Sequence, residues 1–167
     1  MDKIDAETAK VLRKNYIKDK DSIYYIDARI EGADMKSFKV LDEFYSKDKN
    51  NVYFKAGKIE GADAETFKPL QYWYSRDRNN LYGADEIERK ISSGDVEIFN
   101  SHVYRVDGKY YMQPFYGKAE YDEEGRIYGK GVGEVDGNLE LKKLDEVFFI
   151  LGDKLYYRDL YGVHLMD

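Results

Sequence analysis

The 167-residue sequence has no cysteine, two prolines, two histidines and one tryptophan. Without cysteine there is no disulfide framework, no thiolate site and no zinc-finger spacing. The histidines, His102 and His164, have no carboxylate at ligand spacing and make no metal site. His102 reads as a half-buried packing residue in the place of Leu41 and Leu70. Ser101 beside it is not evidence for nucleophilic catalysis, because neighbours on a strand point to opposite faces. No apolar run approaches the ~20 residues that cross a bilayer as a helix, and no signal-peptide pattern opens the chain. Basic residues are not in excess: 27 Lys and Arg face 33 Asp and Glu, giving a net charge of −6 and a pI near 5.1. That balance disfavours a nucleic-acid backbone as partner and favours a basic protein.

Tyrosine is what the chain has in plenty: seventeen, against eight phenylalanines. Such a composition suits a sheet-rich protein whose rings carry a hydroxyl toward water. The tyrosines recur at a fixed interval. Tyr16–Phe44 aligns with Tyr45–Trp73 at a shift of 29 residues, with thirteen positions identical, and a third copy begins at Tyr74. A period of this length marks a supersecondary unit used several times. Each unit reads as two parts. A polar corner, "DKDS" at 19–22, "DKNN" at 48–51 or "DRNN" at 77–80, joins two short strands, because Asp and Asn bond nearby backbone and tolerate turn geometry. The second part is a segment such as "GADAETFKPL" at 61–70. There Asp63 is expected to cap a helical turn that brings Phe67 and Leu70 to one face, as Asp34 does for Phe38 and Leu41.

Later units drift. "SGDVEIF" at 93–99 supplies Asp95 as cap and Phe99 as anchor after a three-residue insertion, and Asp107-Gly108 predicts a two-residue hairpin. An extra hairpin from Tyr121, a loosened cap at 135–144 and a last hairpin at 150–157 complete about five units. The expected fold is mainly β, an array of short hairpin and meander units joined by single capped helical turns. Residues 1–15 form a partial first unit, 16–102 three repeats of which the first two are close copies, and 103–167 degenerate repeats in the same domain. "DAETAKVL" at 5–12 matches "DAETFKPL" at 63–70, so the chain opens on a capping segment. This either closes the array or follows an upstream hairpin.

The Asp-Lys-Asn corner, the aromatic pair after it and the downstream Gly-Ala-Asp and Phe together resemble the DKNYY repeat family of bacterial proteins. The match is clearest over 16–82. The resemblance implies a bacterial source but supplies no catalytic residues. An export signal upstream would place the protein in the envelope; without one it is cytoplasmic.

Chemistry is thin. Counted from Asp48, the twelfth position of a calcium loop is Ile59, where a bidentate Glu is required, so no metal or cofactor is expected. The carboxylate pairs in "YDEEG" (121–125) and "LDEV" (144–147) are material for a glycosidase but read as exposed turn charge. The glycines of "GKGVGEVDG" (129–137) lack phosphate-loop spacing. That leaves the aromatic pairs, in which one member faces in and its neighbour out. They either stiffen a thin sheet across strands or line up a recognition stripe, with Tyr24, Tyr53, Tyr82, Tyr110 and Tyr156 as the binding residues. The function expected is binding without catalysis. A tyrosine-rich acidic face would engage another protein, as a toxin-neutralising immunity protein does. A polysaccharide in the envelope is the alternative ligand, and a glycoside hydrolase comes third.

Overall fold

In the computed structural model the described residues are 4–92, 94–112, 119–121, 127–129, 133–135, 140–145, 147–158 and 163–166. They are strands and turns throughout. The chain divides into two compact units, residues 1–90 and 91–167, twelve residues before the 102/103 line drawn from the repeats.

The first unit holds three four-stranded antiparallel meanders. The first runs β1 (Lys10–Arg13), β2 (Tyr16–Lys18), β3 (Ile23–Tyr25) and β4 (Ala28–Arg29). The second runs β5 (Lys39–Val40), β6 (Tyr45–Lys47), β7 (Val52–Phe54) and β8 (Gly57–Lys58). The third runs β9 (Lys68–Pro69), β10 (Tyr74–Arg76), β11 (Asn80–Gly83) and β12 (Glu86–Lys90). Register repeats with the sequence: Tyr16 faces Tyr25, Tyr45 faces Phe54 and Tyr74 faces Gly83. Pro69 sits on an edge strand, where its missing N–H leaves no gap in a ladder.

In the second unit, β13 (Val96–Ile98), β14 (Val103–Val106) and β15 (Lys109–Met112) are joined by β18 (Gly133–Val135). β16 (Ala119–Tyr121) pairs with β17 (Ile127–Gly129). β19 (Leu141–Lys143), β20 (Phe148–Leu151), β21 (Lys154–Arg158) and β22 (Val163–Leu165) form another meander. The predicted Asp107-Gly108 turn is present, with φ of 50° and 81°.

The frame of the repeat differs from the one read in the sequence. Starting each unit at Tyr16 or Tyr45 cuts a sheet between its first and second strands. The structural unit begins at the capping segment, so residues 5–13 belong with the hairpin that follows them. The helical turns expected at those segments are also absent. Residues 35–37 and 64–66 form isolated turns, each with one backbone bond, Ser37 N–H to Asp34 O (3.2 Å) and Phe67 N–H to Asp63 O (3.0 Å). One such bond does not offset the cost of nucleating a helix, and the next strand begins within two residues.

What fixes the frame is a hydrogen-bond network repeated three times. Asp48 Oδ1 accepts the N–H groups of Asn50 and Asn51, closing its own corner. Its Oδ2 accepts the Asp34 N–H from the capping segment (3.0 Å) and the Tyr53 hydroxyl (2.8 Å). Asp19 does the same for Asp5 and Tyr24, and Asp77 for Asp63 and Tyr82. Two smaller ties repeat alongside. The hydroxyls of Thr8, Ser37 and Thr66 accept the N–H of Lys20, Lys49 and Arg78. Ion pairs Lys20–Asp5, Lys49–Asp34 and Arg78–Asp63 close at 2.7–3.1 Å. The N–H groups acting on each buried carboxylate hold it ionised. Asp5, Asp21 and Ser22 bring Asp19 down to about 2, with Tyr24 adding to them against its burial. For Asp48 and Asp77 burial is the largest influence and acts upward, yet the N–H and hydroxyl donors outweigh it and both stay lowered.

Packing repeats too. Phe38 lies 6.2 Å from Tyr16 and 6.1 Å from Tyr53, and Phe67 lies 5.5 Å from Tyr45 and 5.8 Å from Tyr82. Each capping Phe thus joins a tyrosine of the preceding sheet to one of its own. Ala9, at the matching place in the first sheet, is exposed. In the second unit the core gathers Val103, Tyr110, Met112, Phe149, Leu151 and Val163.

Candidate functional site

The tyrosines expected to form an exposed stripe lie mostly inside. Tyr24, Tyr53, Tyr82 and Tyr110 are buried, and Tyr156 is half-buried, stacked on Phe149 at 5.4 Å. Burial raises the phenol pKa of Tyr53 and Tyr82, and their aspartate partners push in the same direction. Their neighbours offer no better stripe. Tyr25 and Tyr111 are buried, and Phe54 lies 5.2 Å from Tyr45. Adjacent residues do face opposite sides, but on the strands that carry these pairs both members are buried or half-buried. In the first unit the hydroxyls of Tyr24, Tyr53 and Tyr82 serve the corner aspartates instead of solvent.

Other sequence readings resolve as follows. His102 is buried, and its Nδ1 lies 2.8 Å from Ser101 Oγ. The opposite-faces argument does not apply, since both residues lie in a turn. Asn100 Oδ1 accepts the N–H groups of His102 and Val103, just as Asp42 Oδ1 accepts those of Phe44 and Tyr45. His102 therefore takes the place of Phe44, and Phe99 that of Leu41. The three-residue insertion placed before Phe99 is not needed. Residues 122–125, most of the 130–137 glycine segment and Glu146 lie outside the described residues, as does the His164 side chain. Among the described residues no three His, Asp or Glu side chains are grouped to hold a metal.

The exposed aromatic surface lies elsewhere, at the tips of the first hairpins. A recess of about 310 Å³ runs past three successive tips. The β1–β2 tip supplies Arg13 and Lys14, the β5–β6 tip Asp42, Glu43 and Phe44, and the β9–β10 tip Leu70, Tyr72 and Trp73. The 29-residue period brings them together, because each tip occupies the same place in its unit. Trp73 is 54% exposed, and its ring meets Phe44 edge-on at 6.1 Å and 87°. Phe44 is backed by Phe54 at 6.2 Å. Lys14 Nζ reaches Glu43 Oε2 at 3.4 Å, and Arg13 Nη1 donates to the Leu41 carbonyl at 3.2 Å. From beneath, the buried Tyr45 hydroxyl donates to the Trp73 carbonyl at 2.6 Å and also approaches that of Ala84 at 3.0 Å.

The third tip is built differently from the second, and like the first, where Arg13 stands at this place, it has no Asp or Asn to close it. Asp42, Asn100 and Asp145 each close their turn with a side-chain oxygen on two backbone N–H groups. Gln71 stands at the same place, and its turn is closed by Tyr74 N–H to Gln71 O at 3.1 Å. Tyr72 and Trp73 there adopt φ of 55° and 66°. Two consecutive positive φ values define a type I′ turn, which prefers Asn-Gly.

Sequence reasoning missed this site because it sought aromatics on strands. The available signal was "YWY" at 72–74, three consecutive aromatics at a unit boundary, with glutamine where the preceding unit has aspartate. The groove contains no serine, threonine, cysteine or histidine among its lining residues. It offers two aromatic faces nearly at right angles, a guanidinium and an ion pair at the rim. Such a surface can bind.

No curated protein and no solved structure matches the chain. The model of the DKNYY family matches residues 16–166, nearly its whole length, and the chain belongs to that family.

Proposed function

We propose that this is a non-catalytic binding protein that takes a protein partner of net positive charge at the groove formed by Arg13, Phe44, Tyr72 and Trp73. The observation that carries the reading is the only tryptophan of the chain, exposed at the mouth of a recess. Tryptophan, tyrosine and arginine are the residues in which binding energy concentrates at protein interfaces. A net charge of −6 steers a basic partner toward the molecule, in the manner of an immunity protein that covers a toxin. The tyrosines first expected to bind are engaged internally, and the exposed aromatic surface is at the tips, where Arg13 and Lys14 balance Asp42 and Glu43.

Two immobilised forms test this, the wild type and Trp73→Ala, each exposed to lysate of the native cell. The expected result is a basic protein retained by the wild type, released progressively as salt rises, and held at least ~30-fold more weakly by the variant. Retention of a polysaccharide, indifferent to salt, would replace the protein reading with the sugar one. Retention of the same protein by both forms would remove the groove as the site.

A further inference from the structure

We infer that the Gln71–Tyr74 turn is the specificity-determining element of the groove, held in a disfavoured backbone conformation so that the Trp73 ring stands out from the sheet. This rests on the binding reading above and goes beyond it, because it assigns a cost in stability to a recognition role.

The conformation is costly for the residues that adopt it. A side chain with a Cβ clashes with its own backbone at φ near +60°, and bulky residues suffer most. Single residues tolerate this elsewhere in the chain: Ile26, Lys55 and Ala84, 29 residues apart, each take φ of 55–57° at the third hairpin of their unit, and Lys14, at the place of Tyr72 in the first tip, takes 43°. Two in succession are another matter. Where the chain uses that arrangement in its other unit, it places Asp107-Gly108, with the second residue free of a Cβ. At 72–73 it places tyrosine and tryptophan. The equivalent turns at Asp42, Asn100 and Asp145 show that a tip at this position can be closed by an Asp or Asn side chain. Gln71 has one methylene too many for that short-range bond.

The strained pair coincides with the exposed aromatic corner of the groove. Strain retained in a native structure collects where function uses it. Here the Tyr45 hydroxyl on the Trp73 carbonyl and the Phe44 ring against the indole hold the turn in place.

Two variants test the inference. Tyr72→Asn with Trp73→Gly gives the turn its preferred sequence, and Gln71→Asp restores the closing carboxylate while keeping both rings. Each is expected to melt higher than wild type, by about 4–8 °C, and each to lose the lysate protein that the wild type retains. Gln71→Asp should also change the emission of the single tryptophan as its ring leaves Phe44. An unchanged or lower melting temperature for the Asn-Gly variant would show that the turn is not strained and overturn the inference. Higher melting with retention intact in Gln71→Asp would show that the strain does not serve recognition, leaving the groove reading untouched. Retention unaffected by Trp73→Ala, or no retention by the wild type, would remove the groove reading itself.

Discussion

Asp48 satisfies four donors with two oxygens, and that division predicts how substitutions behave. Oδ1 closes the corner through two backbone N–H groups, a task an amide oxygen performs equally well at Asn100. Oδ2 holds the Asp34 N–H and the Tyr53 hydroxyl, and an amide NH2 placed there would face two donors. Asp48→Asn should therefore cost about 1–3 kcal/mol in chemical denaturation, whereas Asp42→Asn, where only Oδ1 is engaged, should be nearly neutral. Equal effects would show that the link between cap and corner contributes nothing. The same aspartates shape the response to acid, together with Asp5, Asp34, Asp63 and Asp145, whose pKa values are lowered too. Asp19, Asp48 and Asp77 all have pKa values below the ordinary ~3.9, Asp19 at about 2. A carboxylate with a lowered folded pKa adds stability that is complete above its unfolded value and disappears as pH falls through the folded one. Melting temperature should be flat from pH 7 to ~5 and fall steeply from ~4 to ~2. Asp19→Asn should flatten that acid limb; an unchanged limb would refute the assignment.

At the scale of elements, strands of two to five residues have little stability of their own, and the capping segment supplies what they lack. Phe67 is buried between Tyr45 and Tyr82, so Phe67→Ala should cost about 3–5 kcal/mol and lower the melting temperature accordingly. Phe38, only half-buried between Tyr16 and Tyr53, should cost less when truncated. A Phe38 effect equal to that of Phe67 would contradict the burial difference. Corners, Asp107-Gly108 and the 29-residue period were legible because turn chemistry and repetition are local properties of sequence. The capping segments were misread as helical turns because Asp followed by Phe and Leu at helical spacing equally suits a single turn that leads into a strand. Which of two adjacent aromatics meets solvent was not legible, since it depends on what covers each face. Tyr53 and Phe54 differ little in sequence terms, yet one is committed to Asp48 and the other packs on Tyr45. Trp73 was hidden for a further reason: its exposure follows from the turn that Gln71 fails to close with its side chain.

At the scale of the whole molecule, the two compact units invite separation. Stability in a repeat array is close to a sum of unit and neighbour terms, so a block with its own neighbours satisfied can fold without the rest. Within residues 1–90 the three cap-to-corner networks close on themselves. Among the described residues, the clusters around Tyr16, Ile23 and Tyr53 and around Tyr45, Phe67 and Tyr82 also draw on that block. All three tips that line the groove belong to it as well. Residues 1–90 produced alone should therefore give a sheet-type circular dichroism spectrum and one cooperative melting transition. Trp73 emission should match that of the full chain. Because antiparallel meanders pair neighbours in sequence, little loop-closure entropy is lost with the second block. The fragment should retain the same lysate protein within a few-fold of full-length affinity. Absence of a cooperative transition would mean that the first block depends on residues 91–167 for its fold. A folded fragment that no longer retains the partner would place part of the recognition surface beyond residue 90.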